Sequence, residues 1–264
     1  MPTWLYDMSP LHAGLVLVAI VELVSLAGLL WTRWFAIPRF KFGEGINDAV
    51  SGTVQAIGVF YGITVGLIAV AVWNTNINAS DLVSREASAI GALYRDVSGY
   101  PAPARDELRA GLREYTVFII DESWPAQRKG QILPRGTAIM DAFQAHLYSF
   151  QPANQGQMAL HSETLRAYNH LIEYRRLRLD AVRSGLSGTM WAVIWLGAAI
   201  SIGVAYFYQI SDVKLHAALI ILMSGFLALV LLMITINDRP FFGRGSISPA
   251  PYELIRDHLI DLSK

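Results

Sequence analysis

The chain has 264 residues, 53% hydrophobic and 16% charged, with a mean hydropathy of +0.38. This is too apolar for an ordinary soluble domain. Its 21 lysines and arginines balance 21 aspartates and glutamates, and no basic cluster with interleaved aromatics occurs, which excludes a nucleic-acid partner. Cysteine is absent, which excludes disulfides, thiolate metal sites and thiol chemistry.

Four apolar runs, near 11–31, 50–73, 186–208 and 215–237, are long enough to cross about 30 Å of hydrocarbon at about 1.5 Å per residue. Trp4 and Tyr6 suit the headgroup zone before the first run, and Pro10 suits a first helical turn. The first run is too long for a signal peptide, is preceded by no Lys or Arg, and carries Glu22, so it is expected to remain as a span. An intramembrane carboxylate must face the bundle, find a partner, stay protonated or touch water. Glu22 is therefore either a relay or ion site or a hydrogen-bonded structural residue. Trp31, Trp34 and Phe35 form an aromatic belt, and Pro38 stops the helix before the polar turn containing Arg39, Lys41 and Glu44.

The second run carries an unusual stripe. At 100° per residue, Asn47, Asp48, Ser51, Gln55, Gly58, Gly62 and Gly66 share roughly a 100° arc, while the rest of the helix is apolar. In lipid such a stripe is presented to protein or to water. The glycines and small polar residues are then either a packing face for another helix or the wall of a pore shared by several copies. Asp48 is favoured by the helix dipole, and a ring of Asp48 side chains would favour cations at a pore mouth.

After Trp73 and the asparagines at 74, 76 and 78, residues 79–185 read as an all-helical domain. Leu82, Ile90, Leu93 and Val97 extend the second helix until Pro101 and Pro103. Further helices are expected near 104–124, 137–150 and 158–183, with a loop at 125–136. Near the membrane, one side carries Arg85, Arg175, Arg176, Arg178, Arg183, Arg239 and Arg244; the other carries Arg33, Arg39, Lys41 and Lys214. The positive-inside rule then puts this domain and both termini in the cytoplasm of a bacterial-type inner membrane. Gly197 and Ser201 repeat a small-residue spacing in the third span. Asp238 offers an ion-pair partner to an arginine, and Arg239 suits the C-terminal dipole of the last span. The tail, 241–264, holds an amphipathic helix with Tyr252, Ile255, Leu259 and Leu262 on one side.

The six histidines have no metal-ligand spacing, and no catalytic triad or phosphate loop is present, so neither an enzyme nor a cofactor is expected.

Several strings together resemble the bestrophin-like family of membrane proteins. They are Asn47-Asp48 before Ile57-Gly58-Val59-Phe60-Tyr61, then Trp73, Glu86-Ala87, Leu93-Tyr94-Arg95 and Leu112-Arg113-Glu114-Tyr115. Glu122, Trp124 and Asp238-Arg239-Pro240-Phe241-Phe242-Gly243 follow. The resemblance covers about residues 40–250. It implies a channel-like homo-oligomer in the bilayer, a pentamer in bestrophins proper, with the stripe of the second helix facing the axis and an inorganic ion as the passing species. It also implies structural or interface roles for Glu86, Arg95, Asp238 and Arg239. Unlike true bestrophins, the chain places glycines where they have an aromatic constriction, and it has no acidic calcium clasp after the last span. The expected protein is an all-α, four-span channel. A proton-coupled transporter using Glu22 and a non-conducting scaffold are the alternatives.

Overall fold

The computed structural model describes residues 8–40, 43 and 45–260. The expectations for Trp4, Tyr6, Lys41, Glu44, Leu262 and the side chain of Leu259 therefore lie outside the described residues. Among those described, every regular element is helical. They are α1 (Pro10–Trp31), α2 (Ile46–Ser98), α3 (Ala104–Phe118), α4 (Trp124–Gln127), α5 (Arg135–Ser149), α6 (Gln155–Val182), α7 (Gly188–Ala205), α8 (Val213–Asp238) and α9 (Ala250–Ile255). α1, α2, α7 and α8 are long and apolar enough to cross a membrane. Beyond Trp31 the first helix passes through a π turn, Thr32–Ala36, and a 3-10 turn, Ile37–Arg39, that contains Pro38. α6 starts earlier than its apolar period because the Asn154 side chain caps it, accepting from the Gln157 amide at 2.9 Å. Pro125 is in the short helix α4 and not in a loop; α4 follows directly on a π turn, Ile119–Ser123, that continues from α3.

Contacts divide the chain into two units. The first contains residues up to Thr75 together with Gly185–Asp238. Its core joins Leu17 of α1, Tyr61, Val65, Ile68 and Val72 of α2, Trp191 and Ile194 of α7, and Leu231 and Ile234 of α8. Tyr61 is the wedge: its hydroxyl donates to the Ile194 carbonyl at 2.9 Å, and its ring lies on Gly197. A Cβ added to Gly197 would sit 2.3 Å from the Tyr61 ring. Gly197→Ala is therefore expected to cost about 1–3 kcal/mol through displacement of that ring. A lowered thermal unfolding midpoint should show this, with Gly203→Ala, where an added Cβ meets nothing within 4 Å, as the unaffected control.

The second unit contains Asn76–Ser184 and the residues from Arg239 on. Its core is the inner side of α2 (Val83, Ala87, Ile90, Leu93, Tyr94, Val97) against Leu108, Leu112 and Tyr115 of α3, Phe143 of α5, Leu171 of α6, and Phe241 and Tyr252 of the tail. The Pro240–Gly243 stretch has a defined job here. Phe241 is buried with its ring 5.7 Å from that of Trp124, and Gly243 takes a φ of +75° while its N–H donates to the Arg128 carbonyl.

Candidate functional site

α2 presents three different sides over its apolar half. Tyr61, Val65, Ile68 and Val72 are buried, recurring every three to four residues as a packed helix face must, and Val50 is buried on the same side. One position further round lie Gln55, Gly58, Gly62 and Gly66, all exposed. A Cβ built on any of the three glycines meets nothing within 4 Å among the described residues. Beyond this smooth stripe stands a bulky apolar ridge, with Phe60 74%, Ile63 59% and Leu67 68% exposed. Asp48 is exposed in the first turn.

The other two stripe residues are committed within the subunit. The Asn47 amide bonds to the backbone of Gln209, accepting from its N–H at 2.8 Å and donating to its carbonyl at 3.3 Å. The Ser51 hydroxyl is 2.9 Å from that of Tyr208. Glu22 is half-buried and accepts a hydrogen bond from Ser224 Oγ of α8 at 2.9 Å, with Gly225 leaving room for the carboxylate.

Among the described residues Asp238 is engaged by an amide and an indole, and no ion pair with an arginine is found. It is buried at the end of α8 and accepts from the Leu186 amide at 2.5 Å and from the Trp191 indole at 3.3 Å. Unsatisfied amides at the start of α7 are what a carboxylate there satisfies. Arg239 instead lies over the Phe242 ring, 5.5 Å from its centroid. Arg95 is exposed.

In the second unit, Glu86 is fully buried at the centre of a polar network. One carboxylate oxygen accepts from the Tyr115 hydroxyl at 2.7 Å and from Arg178 Nη2 at 3.2 Å. The other accepts from Arg178 Nε and, at 3.1 Å, from the Tyr252 hydroxyl. Arg178 also donates to Gln127 Oε1 at 3.0 Å, and its guanidinium lies 5.9 Å from the ring centroids of Trp124 and Tyr252. Burial by itself would favour neutral Arg178. The facing Glu86 outweighs it and holds the guanidinium protonated, well above its ordinary value. Burial, reinforced by Glu86, raises Tyr115 well above 10.0. Tyr252 is likewise raised, by burial first and Glu86 after it, against the opposing pull of Arg178.

Arg178 is thus a core residue and no membrane-facing cation, leaving six arginines in the count for that side. Nothing in the linear sequence pairs it with Glu86, although its period is visible there: Thr164, Tyr168, Leu171 and Arg178 share one buried stripe of α6. No signal in the chain joined Tyr61 to Gly197, or Asn47 to Gln209.

These features define an all-helical membrane protein with four helices able to span the bilayer and a second helical unit whose apolar core encloses a buried Glu86–Arg178 network. The chain belongs to the bestrophin-like domain family, whose model matches residues 18–252. Its fold is similar to crystal structures of a bacterial bestrophin homologue from Klebsiella pneumoniae, solved as single-substitution variants. One aligns with a TM-score of 0.65 at 12% identity, covering 95% of this chain and 98% of that one. Another aligns at 0.69 and 11%, covering 97% and 98%. A variant of a protein described as a membrane protein aligns at 0.71 and 12%, covering 93% and 97%. No curated protein matches the chain by sequence.

Proposed function

We propose that the protein is a bestrophin-type ion channel assembled from several copies of this chain, with α2 lining the central path. The bestrophin-like family supports the channel class. The observation that carries the assignment to α2 is the open stripe of Gln55, Gly58, Gly62 and Gly66, which no described part of the subunit covers. Glycines on such a wall give width and let water or an ion approach the helix backbone. With the second unit and both termini in the cytoplasm, as the remaining arginine bias favours, Asp48 lies at the external mouth.

Because the chain has no native cysteine, single cysteines at Ser51, Gln55, Gly58 and Gly62 report directly on water contact. In proteoliposomes, water-borne thiol reagents should modify Gln55→Cys, Gly58→Cys and Gly62→Cys and block the current. A wild-type protein that passes no ions overturns the channel, and modification confined to other faces overturns the lining. Asp48→Asn should lower the cation-to-anion permeability ratio by about two- to tenfold, through loss of a ring of mouth charges. An unchanged reversal potential in a salt gradient would remove Asp48 from the path.

A second arrangement is favoured by the exposed ridge. If the glycine stripe receives the neighbouring copy's helix, then Phe60, Ile63 and Leu67 turn to the axis and form an apolar constriction. Cysteines at those three positions then become the blockable ones, so the same scan separates the two rotations of α2.

A further inference from the structure

The turn between α7 and α8 is gripped residue by residue. Tyr208 is tied to Ser51 at 2.9 Å. Gln209 is held at both its N–H and its carbonyl by the Asn47 amide, at 2.8 and 3.3 Å. The carbonyls of Ile210 and Ser211 accept from Arg33 Nη1 and Nη2, at 2.9 and 3.0 Å. At the foot of the turn the buried His216 places Nε2 3.2 Å from the Ala205 carbonyl, while its Nδ1 has no partner among the described groups. Three side chains therefore hold four successive residues. Arg33 comes from the end of the first helix and Asn47 and Ser51 from the start of α2, so the turn bridges both sides of the α1–α2 connection.

We propose that the α7–α8 turn is a clasp that fixes the position and rotation of the first turn of α2, with Asn47 and Arg33 as its positioning residues. The assignment of consequences to conduction rests on α2 being the pore helix. A two-point amide bond resists rotation of a helix about its axis, where a single bond would act as a pivot. A guanidinium fork reaches two adjacent carbonyls at once, which the single ammonium of a lysine does not reproduce. Asn47 acts on the path through the turn: its oxygen and one amide hydrogen are already engaged with Gln209, and what it contributes is orientation.

The test uses the full-length protein in nanodiscs and in proteoliposomes, with Asn47→Ala and Arg33→Lys as the variants. Amide hydrogen exchange over residues 206–212 and 46–52 should quicken about fivefold or more in both, the ratio expected when one net hydrogen bond is lost. Arg33→Lys retains the charge, so quickened exchange there identifies the two-carbonyl grip and excludes a surface-charge effect. Open probability should change in both variants, while unitary conductance and the cation-to-anion ratio stay at the wild-type values. Unchanged exchange in Asn47→Ala overturns the clasp. Altered conductance or ion ratio with normal open probability makes Asn47 a wall residue and also overturns it. If exchange quickens as expected and even the wild type carries no current, the clasp stands and the channel assignment fails.

Discussion

Replacing Arg178 with methionine is expected to destabilise the helical unit by about 3–5 kcal/mol, the cost of leaving a buried carboxylate without its cation. Arg178 is 1% exposed and Glu86 is 0% exposed, so water does not take over when the pair is broken. Glu86→Leu should be comparably damaging, since it strands Arg178 together with the hydroxyls of Tyr115 and Tyr252. The double replacement should lose clearly less than the sum, because two stranded charges vanish together. Thermal unfolding of the three variants measures this, and strict additivity would contradict the pairing. Tyr252→Phe removes one of the donors to Glu86 and should cost about 1–2 kcal/mol.

The same network sets an alkaline limit. Tyr115 and Tyr252 are raised in the folded state above their ordinary value of 10.0. The folded protein therefore holds their protons more tightly than the unfolded chain does. Their contribution to stability is fully present below pH 10 and is lost as the pH climbs from 10 through the raised folded values. In an unfolding series above pH 10, Tyr252→Phe should show a shallower fall in stability than wild type.

Gly62→Trp is expected to abolish the current while leaving the subunit folded. A side chain there meets nothing within 4 Å among the described residues, so the bundle of one subunit has no reason to object. In a wall facing the axis, a tryptophan from each copy fills the passage, and conductance should fall by at least about tenfold. The proposed assembly of several copies should keep its wild-type size in gel filtration. Loss of the oligomer instead makes the stripe a packing face between copies, and unchanged size with unchanged current makes it lipid-facing. Gly197 forms the natural contrast: it too lies on a span, yet there the ring of Tyr61 already occupies the space.

The spans were legible because lipid demands some twenty apolar residues in succession, a pattern that survives any tertiary arrangement. The helices of the second unit were legible by period, since Leu108, Leu112 and Tyr115 recur as one buried side. Pairings across distance were not. Glu86 and Arg178 lie far apart in the chain, and only the assembled core of the second unit joins them. Asp238 read as an arginine partner because Arg239 adjoins it. The folded chain turns its carboxylate toward the start of α7, where the Leu186 amide and the Trp191 indole donate to it. The stripe on α2 read as uniform, and the structure divides it: Asn47 and Ser51 bond to the α7–α8 turn, whereas Gln55 and the glycines stay open.

Tyr252 carries one more implication, for biosynthesis. The last donor to Glu86 is encoded after the entire fourth apolar helix, and Phe241, another core member, also follows it. A ribosome that has delivered everything up to residue 184 has not yet made the pieces that complete this core. The nascent unit must therefore wait, with its carboxylate only partly satisfied, until two further hydrophobic segments have been translated.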